Sequence, residues 1–150
     1  MKREFKEDDL YYEPVYTIGH AAEKLGVAVP TLRMYEQAGL IIPHKTETKR
    51  RLYSRHDIEY LRIIIDLIRN KGLNLEAIRR ILALTPCWRV INCPTEIREN
   101  CPAFVEGVVP CWIMPENPCG KTKEECKSCK VYLSCPEILQ EPINLVKACE

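Results

Sequence analysis

The sequence predicts a mainly α-helical protein, with a winged helix-turn-helix domain followed by a small, irregular cysteine-rich domain. Two short segments of helical periodicity, joined by a turn that contains glycine, occupy residues 17–39, which is typical of a helix-turn-helix. A basic loop between two β-prone runs follows at residues 40–53, and all nine cysteines lie from Cys87 onward. These features divide the chain into a flexible lead-in (1–14), a helix-turn-helix domain (15–85) and a cysteine-rich domain (86–150).

The first helix is predicted to begin after Thr17, whose hydroxyl can accept a hydrogen bond from an otherwise unpaired backbone amide. Gly26 ends this helix, because glycine tolerates the backbone conformation that closes a helix. The apolar residues between them recur at helical spacing and would face the core; they are Ile18, Ala21, Ala22 and Leu25.

The second helix is predicted to follow Ala28 and to end at Gly39. Pro30 falls within its first turn, where the missing backbone N–H does no harm. One side of the helix is apolar and the other is polar. The polar side carries Arg33, Glu36 and Gln37.

Residues 40–53 are predicted to form a β-hairpin wing. The apolar run at residues 40–42 would pair with Leu52 and Tyr53, and residues 43–51 would form the polar loop between them. Within residues 45–55, five Lys and Arg side chains oppose the single carboxylate of Glu47, which leaves a charge of +4. A basic hairpin beside a helix-turn-helix is suited to contacting DNA phosphates, because each contact releases counterions.

Two further helices complete this domain. The third begins at Ser54, with Asp57 placed to complete a capping box. The fourth begins after Asn74 and is stopped at residues 85–86. Their apolar residues recur at helical spacing, so we expect both helices to face the core.

Four motifs in the same order resemble the DNA-binding domain of the MerR family, over residues 15–85. They are YTIGHAAEKLGV, TLRMYEQAGLI, RRLYS with DIEYL, and GLNLEAIRRIL, of which the last is similar to heat-shock repressors of the HspR kind. The resemblance implies a homodimer that binds a palindromic site in double-stranded promoter DNA and affects RNA polymerase indirectly. It leaves the mode of dimerisation open, because the long C-terminal helix through which such proteins usually pair is not evident.

By this resemblance, eight residues are candidates for contact with DNA. Arg33 and Tyr35 would bind phosphate and Thr31 would reach a base edge, while the wing side chains would position the domain. For Tyr35, a role as a core aromatic under the wing is the alternative. The full set is Thr31, Arg33, Tyr35, Lys45, Lys49, Arg50, Arg51 and Tyr53.

The net charge of +1 does not by itself indicate a nucleic-acid-binding protein. Residues 1–86 carry 15 Lys and Arg against 12 Asp and Glu, or +3, and residues 87–150 carry 7 against 9, or −2. The charged N-terminus is unlike a signal peptide and no apolar run is long enough to span a membrane, so a cytoplasmic location is predicted. The sequence contains no recognisable catalytic motif, so it does not predict an enzyme.

The cysteine-rich region contains an internal repeat. Each copy has a Cys-Trp pair, a middle cysteine, and a third cysteine that is followed three positions later by an aromatic residue. The two copies begin at Cys87 and Cys111 and end at Phe104 and Tyr132. This pattern resembles the Cys-Trp-repeat domains that are attached to varied bacterial signalling proteins.

Three roles for these cysteines stay open. A zinc or iron–sulfur site needs thiolates brought together by tight turns, which Pro-flanked cysteines and a Cys-x-x-Cys pair would supply. A redox sensor would pair neighbouring thiols on oxidation, and a structural scaffold would use them only to hold a small fold together. Cys149 is interpreted as an incidental thiol. The eight candidate metal ligands are Cys87, Cys93, Cys101, Cys111, Cys119, Cys126, Cys129 and Cys135.

The sequence therefore predicts a sequence-specific DNA-binding transcriptional regulator whose cysteine-rich domain senses a metal, an iron–sulfur cluster or the redox state. In a first alternative, the same regulator carries a purely structural cysteine-rich domain that docks a partner. In a second alternative, the protein is a redox or electron carrier whose helix-turn-helix region is a docking module.

Overall fold

The computed structural model describes residues 10–85, 87–114 and 119–140, which form a mainly α-helical protein with one small sheet. The first part contains β1 (Tyr16–Thr17), α1 (Ile18–Leu25), α2 (Val29–Gln37), β2 (His44–Lys45), β3 (Arg51–Tyr53), α3 (Arg55–Arg69) and α4 (Leu75–Ala83). The cysteine-rich part contains α5 (Cys87–Val90), α6 (Thr95–Arg98), α7 (Pro102–Val105), a 3-10 turn (Cys111–Ile113), α8 (Lys123–Lys127), α9 (Lys130–Leu133) and α10 (Cys135–Gln140). No helix among the described residues is long and apolar enough to cross a lipid bilayer.

The helix starts predicted for the first part are confirmed at their caps. The Thr17 hydroxyl accepts a backbone hydrogen bond at 3.3 Å, and Gly26 closes α1 with φ +66°. Ser54 and Asp57 form the predicted capping box at the start of α3, and the Asn74 side chain caps α4. Local sequence therefore determines these boundaries, because each cap bonds backbone amides that a helix leaves without partners.

The wing differs from its prediction. Its sheet has the strand order β1-β3-β2 with antiparallel pairing, so that Tyr16 lies opposite Tyr53 and His44 lies opposite Leu52. The prediction of a strand at residues 40–42 is wrong, because the outer wing strand begins at His44. The first strand, β1, is one that the sequence pattern does not predict.

Residues 39–42, which we call the α2–wing linker, are a buried connection instead of a strand. Leu40 is fully buried, and Ile41 and Ile42 nearly so. Tyr60 Oη donates a hydrogen bond to Leu40 O at 2.7 Å, and the Ile42 amide donates one to Tyr132 Oη at 2.9 Å. A buried backbone needs its polar groups bonded, and here side chains of α3 and α9 take the place of a neighbouring strand.

A contiguous hydrophobic core extends through both parts of the chain. Helix α10 packs against α3 and α4, and buries Cys135 and Leu139 there. Tyr60 of α3 meets Tyr132 of α9 edge to face, with ring centroids 6.1 Å apart. The two predicted domains, 15–85 and 86–150, are thus sequence regions whose buried side chains pack together.

Residues 10–14 lie against the start of α3. Tyr11 Oη donates to Glu59 Oε2 at 2.5 Å, and the rings of Tyr11 and Tyr12 pack on His56 with centroid distances of 5.6 and 5.2 Å. These contacts tie the described end of the predicted lead-in to the helix-turn-helix domain. The rest of that segment, residues 1–9, lies outside the described residues, and so does Cys149.

Gly39 is expected to tolerate alanine less well than Gly26. Both residues follow a helix with positive φ, +77° and +66°, so alanine at either position costs about 1–2 kcal/mol of backbone strain. A Cβ atom on Gly39 would also overlap the Ile113 side chain, whereas one on Gly26 meets nothing within 4 Å. Denaturant unfolding should therefore show a loss of unfolding free energy that is larger by about 1–3 kcal/mol for Gly39→Ala. Equal losses would contradict the packing of Ile113 on the linker.

Candidate nucleic-acid interface and cysteine cavity

The tip of the wing presents exposed basic side chains. Lys49 has φ +60°, and its amide donates to Thr46 O at 2.8 Å. The Thr46 amide donates to Arg50 O at 2.9 Å, while the Arg50 amide donates to Thr46 Oγ1 at 3.1 Å. These bonds close the turn through the backbone and the threonine hydroxyl, which leaves the side chains of Lys49 and Arg50 exposed to solvent.

Glu36 on α2 connects this helix to the wing. Its carboxylate accepts a hydrogen bond from Arg51 Nε on β3 and lies 3.3 Å from Lys45 Nζ on β2. The bond to Glu36 raises the pKa of the Arg51 guanidinium. Including Glu36 lowers the net charge of the basic cluster from +4 to +3, so Lys45 and Arg51 serve partly to hold the wing against α2.

The remaining candidates for DNA contact divide between the surface and the core. Arg33 is exposed and Thr31 is half-buried, so both are accessible on α2. Tyr35 and Tyr53 are only 4% and 0% exposed, which places them in the core and not on the predicted DNA-contacting surface. For Tyr35 this position agrees with the alternative role as a core aromatic under the wing.

The Tyr53 hydroxyl is buried without a hydrogen-bond partner among the described residues. Burial, followed by the Glu36 carboxylate, raises the pKa of Tyr53 to about 12, so the phenol is neutral at physiological pH. An unsatisfied buried hydroxyl costs about 1–3 kcal/mol. The unsatisfied hydroxyl lies where the wing meets α2.

Seven of the eight candidate metal ligands line one cavity in the described part of the cysteine-rich region. The two copies of the repeat therefore bring their thiols to the same place. Cys135 is the exception: it is fully buried in the core, with its Sγ 3.8 Å from Val131 O. The seven cavity residues are Cys87, Cys93, Cys101, Cys111, Cys119, Cys126 and Cys129.

This cysteine cavity is small and apolar. Its volume is about 40 Å³, and Trp88 and Trp112 form part of its wall. Burial raises the pKa of the Cys111 thiol to about 12, and it also raises the pKa values of Cys87 and Cys119. Nearby thiols raise these pKa values further, because adjacent thiolates repel one another. Several thiolates in this cavity would therefore need a cation to stabilise them.

Each copy of the repeat forms an edge-to-face aromatic pair. Trp88 and Phe104 lie 4.8 Å apart with their rings at 87°, and Trp112 and Tyr132 lie 5.3 Å apart at 89°. The copies differ in burial, since Phe104 is 38% exposed and Tyr132 only 1%. The second copy thus packs on the helix-turn-helix domain, whereas the first is more open to solvent.

The cavity has the donor chemistry of a site for a thiophilic metal. No carboxylate lines it among the described residues, and Lys121 Nζ lies 3.5 Å from Cys129 Sγ at its edge. Thiolate ligands suit zinc or iron–sulfur clusters and not calcium or magnesium. Within the described ranges, however, no group of three or more His, Cys, Asp and Glu side chains has an arrangement that could hold a metal ion.

Trp112 and Lys127 connect the cysteine-rich part to the α2–wing linker. Trp112 Nε1 donates to Gly39 O at 2.7 Å, and Lys127 Nζ donates to Ile42 O at 2.6 Å. Lys127 Nζ also forms an ion pair with the buried Asp57 carboxylate at 3.0 Å. Neither Trp112 nor Lys127 is among the site residues predicted from the sequence. The available signal is the position of Lys127 inside the Cys-x-x-Cys pair.

Comparison with known proteins identifies relatives of the first part of the chain. Residues 16–85 match the family described as MerR HTH family regulatory protein. Putative heat shock protein HspR of Streptomyces coelicolor is 44% identical over 71 residues, which cover 47% of each chain. HTH-type transcriptional regulator GlnR of Bacillus anthracis is 31% identical over 78 residues, or 52% of this chain and 60% of the relative. Heavy metal-dependent transcription regulator 2 of Rhizobium meliloti is 40% identical over 73 residues, or 48% and 47%.

These similarities concern the helix-turn-helix domain. The family match ends at residue 85, before the first cysteine of the chain, Cys87. The chain spans about half the length of the curated relatives it matches. The comparisons therefore support the predicted MerR-type helix-turn-helix domain, and the family match does not include the cysteine-rich part.

Lys127→Met is expected to destabilise the protein, because it leaves the Asp57 carboxylate buried without its ion-pair partner. The Asp57 side chain is 1% exposed, and removing one member of a buried pair costs about 3–5 kcal/mol. Lys130→Met is the matched control, since Lys130 is exposed on α9 and surface substitutions change stability by less than about 0.5 kcal/mol. Denaturant unfolding compares the two variants. Similar stabilities would show that the ion pair contributes little.

Proposed function

We propose that this protein is a DNA-binding transcriptional regulator that binds double-stranded promoter DNA through α2 and the wing. The observation that carries the proposal is the match of residues 16–85 to a family of helix-turn-helix regulatory proteins. The exposed basic side chains beside the helix-turn-helix support it. In such domains the second helix enters the major groove and the flanking elements contact phosphates.

Specific side chains fit these roles. Lys49 and Arg50 at the wing tip supply positive charge to the phosphates, and the exposed Arg33 supplies charge from α2. Glu36 holds β3 against α2 through Arg51. The recognition helix and the wing would therefore meet DNA as one surface, and the affinity would depend on their relative position.

We propose that the regulator acts as a homodimer on a palindromic site and affects RNA polymerase indirectly through the promoter. Helix-turn-helix dimers place one recognition helix in each of two half-sites. Among the described residues after α4, the longest helix, α10, has 6 residues, so the long paired helices that MerR-type proteins usually use are not found within the described part of the chain.

We propose further that the cysteine-rich part senses a signal through its thiols. The signal is a thiophilic metal such as zinc, an iron–sulfur cluster or the redox state. The convergence of seven cysteines on one apolar cavity supports this role. A bound metal would be held by thiols of that cavity and would supply the positive charge that stabilises their thiolates. Cys135 would not be a ligand, because its side chain is buried in the core, where α10 packs on α3 and α4.

A purely structural cysteine-rich part is the second candidate function for this region. The packing of α10 on α3 and α4 favours it, because that contact completes the core of the helix-turn-helix domain. In this case a bound metal would stabilise the fold, as structural zinc does, without changing the affinity for DNA.

Replacing both Lys49 and Arg50 with alanine is expected to weaken binding to every DNA sequence, because phosphate contacts carry no sequence information. The slope of log affinity against log salt concentration is negative, and it should become shallower by about 0.9 for each lost contact. The probe is a duplex selected from a random pool by the wild-type protein, and the readout is fluorescence anisotropy at several salt concentrations.

The matched control replaces the exposed Lys123 and Lys130 of the cysteine-rich part with alanine. It removes the same charge from the chain and should leave the salt slope unchanged. An unaltered affinity and slope in the wing variant would exclude the wing from the DNA interface.

Protein purified without oxygen is expected to carry metal in the cysteine cavity. Zinc, iron and acid-labile sulfide contents, with a visible spectrum, identify its kind. Iron with sulfide indicates a cluster, zinc alone indicates a metal site, and metal-free thiols that pair on oxidation indicate a disulfide switch.

Two cysteine variants test the boundary of this site. Cys111→Ser removes a cavity thiol and should lower the metal content. Cys135→Ala should keep the metal content while lowering the unfolding free energy by about 1 kcal/mol, as expected for a small cavity in the core. Loss of metal from Cys135→Ala would contradict its exclusion from the site.

A further inference from the structure

Two of the residues that contact the α2–wing linker are direct neighbours of cavity cysteines. Trp112 follows Cys111, and Lys127 follows Cys126 within the Cys-x-x-Cys pair. Both cysteines line the cavity. These two contacts to the linker therefore begin one residue from a thiol that is a candidate ligand.

The contacts hold both ends of the linker. Trp112 Nε1 donates to Gly39 O at 2.7 Å, and Lys127 Nζ donates to Ile42 O at 2.6 Å. Tyr132, whose ring packs on Trp112, accepts from the Ile42 amide at 2.9 Å. Three side chains of the cysteine-rich part thus bond the short segment that joins α2 to the wing.

The linker joins α2 to the wing, so its conformation affects where the wing lies relative to α2, together with the Glu36–Arg51 contact. It begins two residues after the end of α2 and ends two residues before β2. DNA binding requires the helix to fit the groove while the wing reaches the phosphates. A change in linker conformation would alter these two contacts relative to each other, and with them the affinity.

Metal binding would require the cavity cysteines to move. Zinc–sulfur bonds are about 2.3 Å long in a tetrahedral site, but the described residues hold no group of donors already arranged to coordinate a metal. Drawing the sulfurs of Cys111 and Cys126 toward one ion would therefore shift the backbone on which Trp112 and Lys127 are carried. A ligand that favours the shifted arrangement changes the population of the two states.

We propose that Trp112 and Lys127 are positioning residues for DNA binding, which transmit metal ligation in the cysteine cavity to the α2–wing linker of the same subunit. This inference rests on the proposed function, both for DNA binding and for the thiophilic metal. It assigns the regulatory contact to two side chains that lie outside the matched helix-turn-helix domain.

The test measures how strongly Zn²⁺ changes DNA affinity in the full chain. Dissociation constants for the selected duplex are determined by anisotropy for chelator-treated protein and for protein loaded with stoichiometric Zn²⁺. In the wild type the two constants should differ by about tenfold, which is typical of coupling between two sites. Trp112→Phe removes the Nε1 donor together with the five-membered ring of the indole. It should bring the ratio of the two dissociation constants close to one, with the zinc content unchanged.

Lys127 is tested without leaving a buried charge. Asp57→Asn combined with Lys127→Met removes both members of the ion pair. This double variant should also bring the ratio of the dissociation constants without and with Zn²⁺ close to one. Lys130→Met, one residue after Cys129 and exposed, should keep the wild-type ratio. A contact that is merely structural would lower stability in both forms without changing the ratio.

Hydrogen exchange gives a second readout at the linker. Zn²⁺ should change amide exchange in residues 39–45 of the wild type, and this change should disappear in Trp112→Phe. A wild-type ratio that persists in Trp112→Phe and in the double variant would overturn the inference alone. A wild-type ratio of one would overturn both the inference and metal sensing, and absence of DNA binding would overturn the proposed function itself.

Discussion

Burial of the α2–wing linker is the constraint on which the rest of the structure depends. Residues 40–42 are apolar and buried, so their backbone N–H and C=O groups need hydrogen-bond partners inside the protein. Tyr60 of α3 and the backbone carbonyl of Tyr35 supply two partners. The cysteine-rich part supplies Tyr132 and Lys127 at Ile42, and Trp112 at the neighbouring Gly39. The helix-turn-helix domain and the cysteine-rich part are therefore linked by hydrogen bonds as well as by apolar packing.

The Lys127–Asp57 ion pair adds a cost to any separation of the two parts. The Asp57 carboxylate is almost fully buried, and it also accepts the Ser54 amide at 2.8 Å in the capping box of α3. Removing Lys127 would leave this charge in a region of low dielectric constant. One carboxylate thus caps a helix of the DNA-binding domain and binds a lysine that lies between two cavity cysteines.

The internal repeat explains how short helices build a thiol-rich cavity. Each copy places a tryptophan against an aromatic residue that follows its third cysteine, and the two pairs have nearly the same geometry. The thiols of both copies meet in the small cavity bordered by these rings. The copies differ in their surroundings: Tyr132 is covered by the helix-turn-helix domain, whereas Phe104 is partly exposed.

The sequence by itself determined the helices of the first part, their caps and the basic wing tip, because helical periodicity and capping act over a few neighbouring residues. It also indicated the cysteine repeat. Only the tertiary structure decided that residues 40–42 are no strand, that Tyr53 lies in the core, and that Cys135 is outside the cavity. These outcomes depend on contacts between residues far apart in the chain, such as Lys127 with Asp57, which no local pattern encodes.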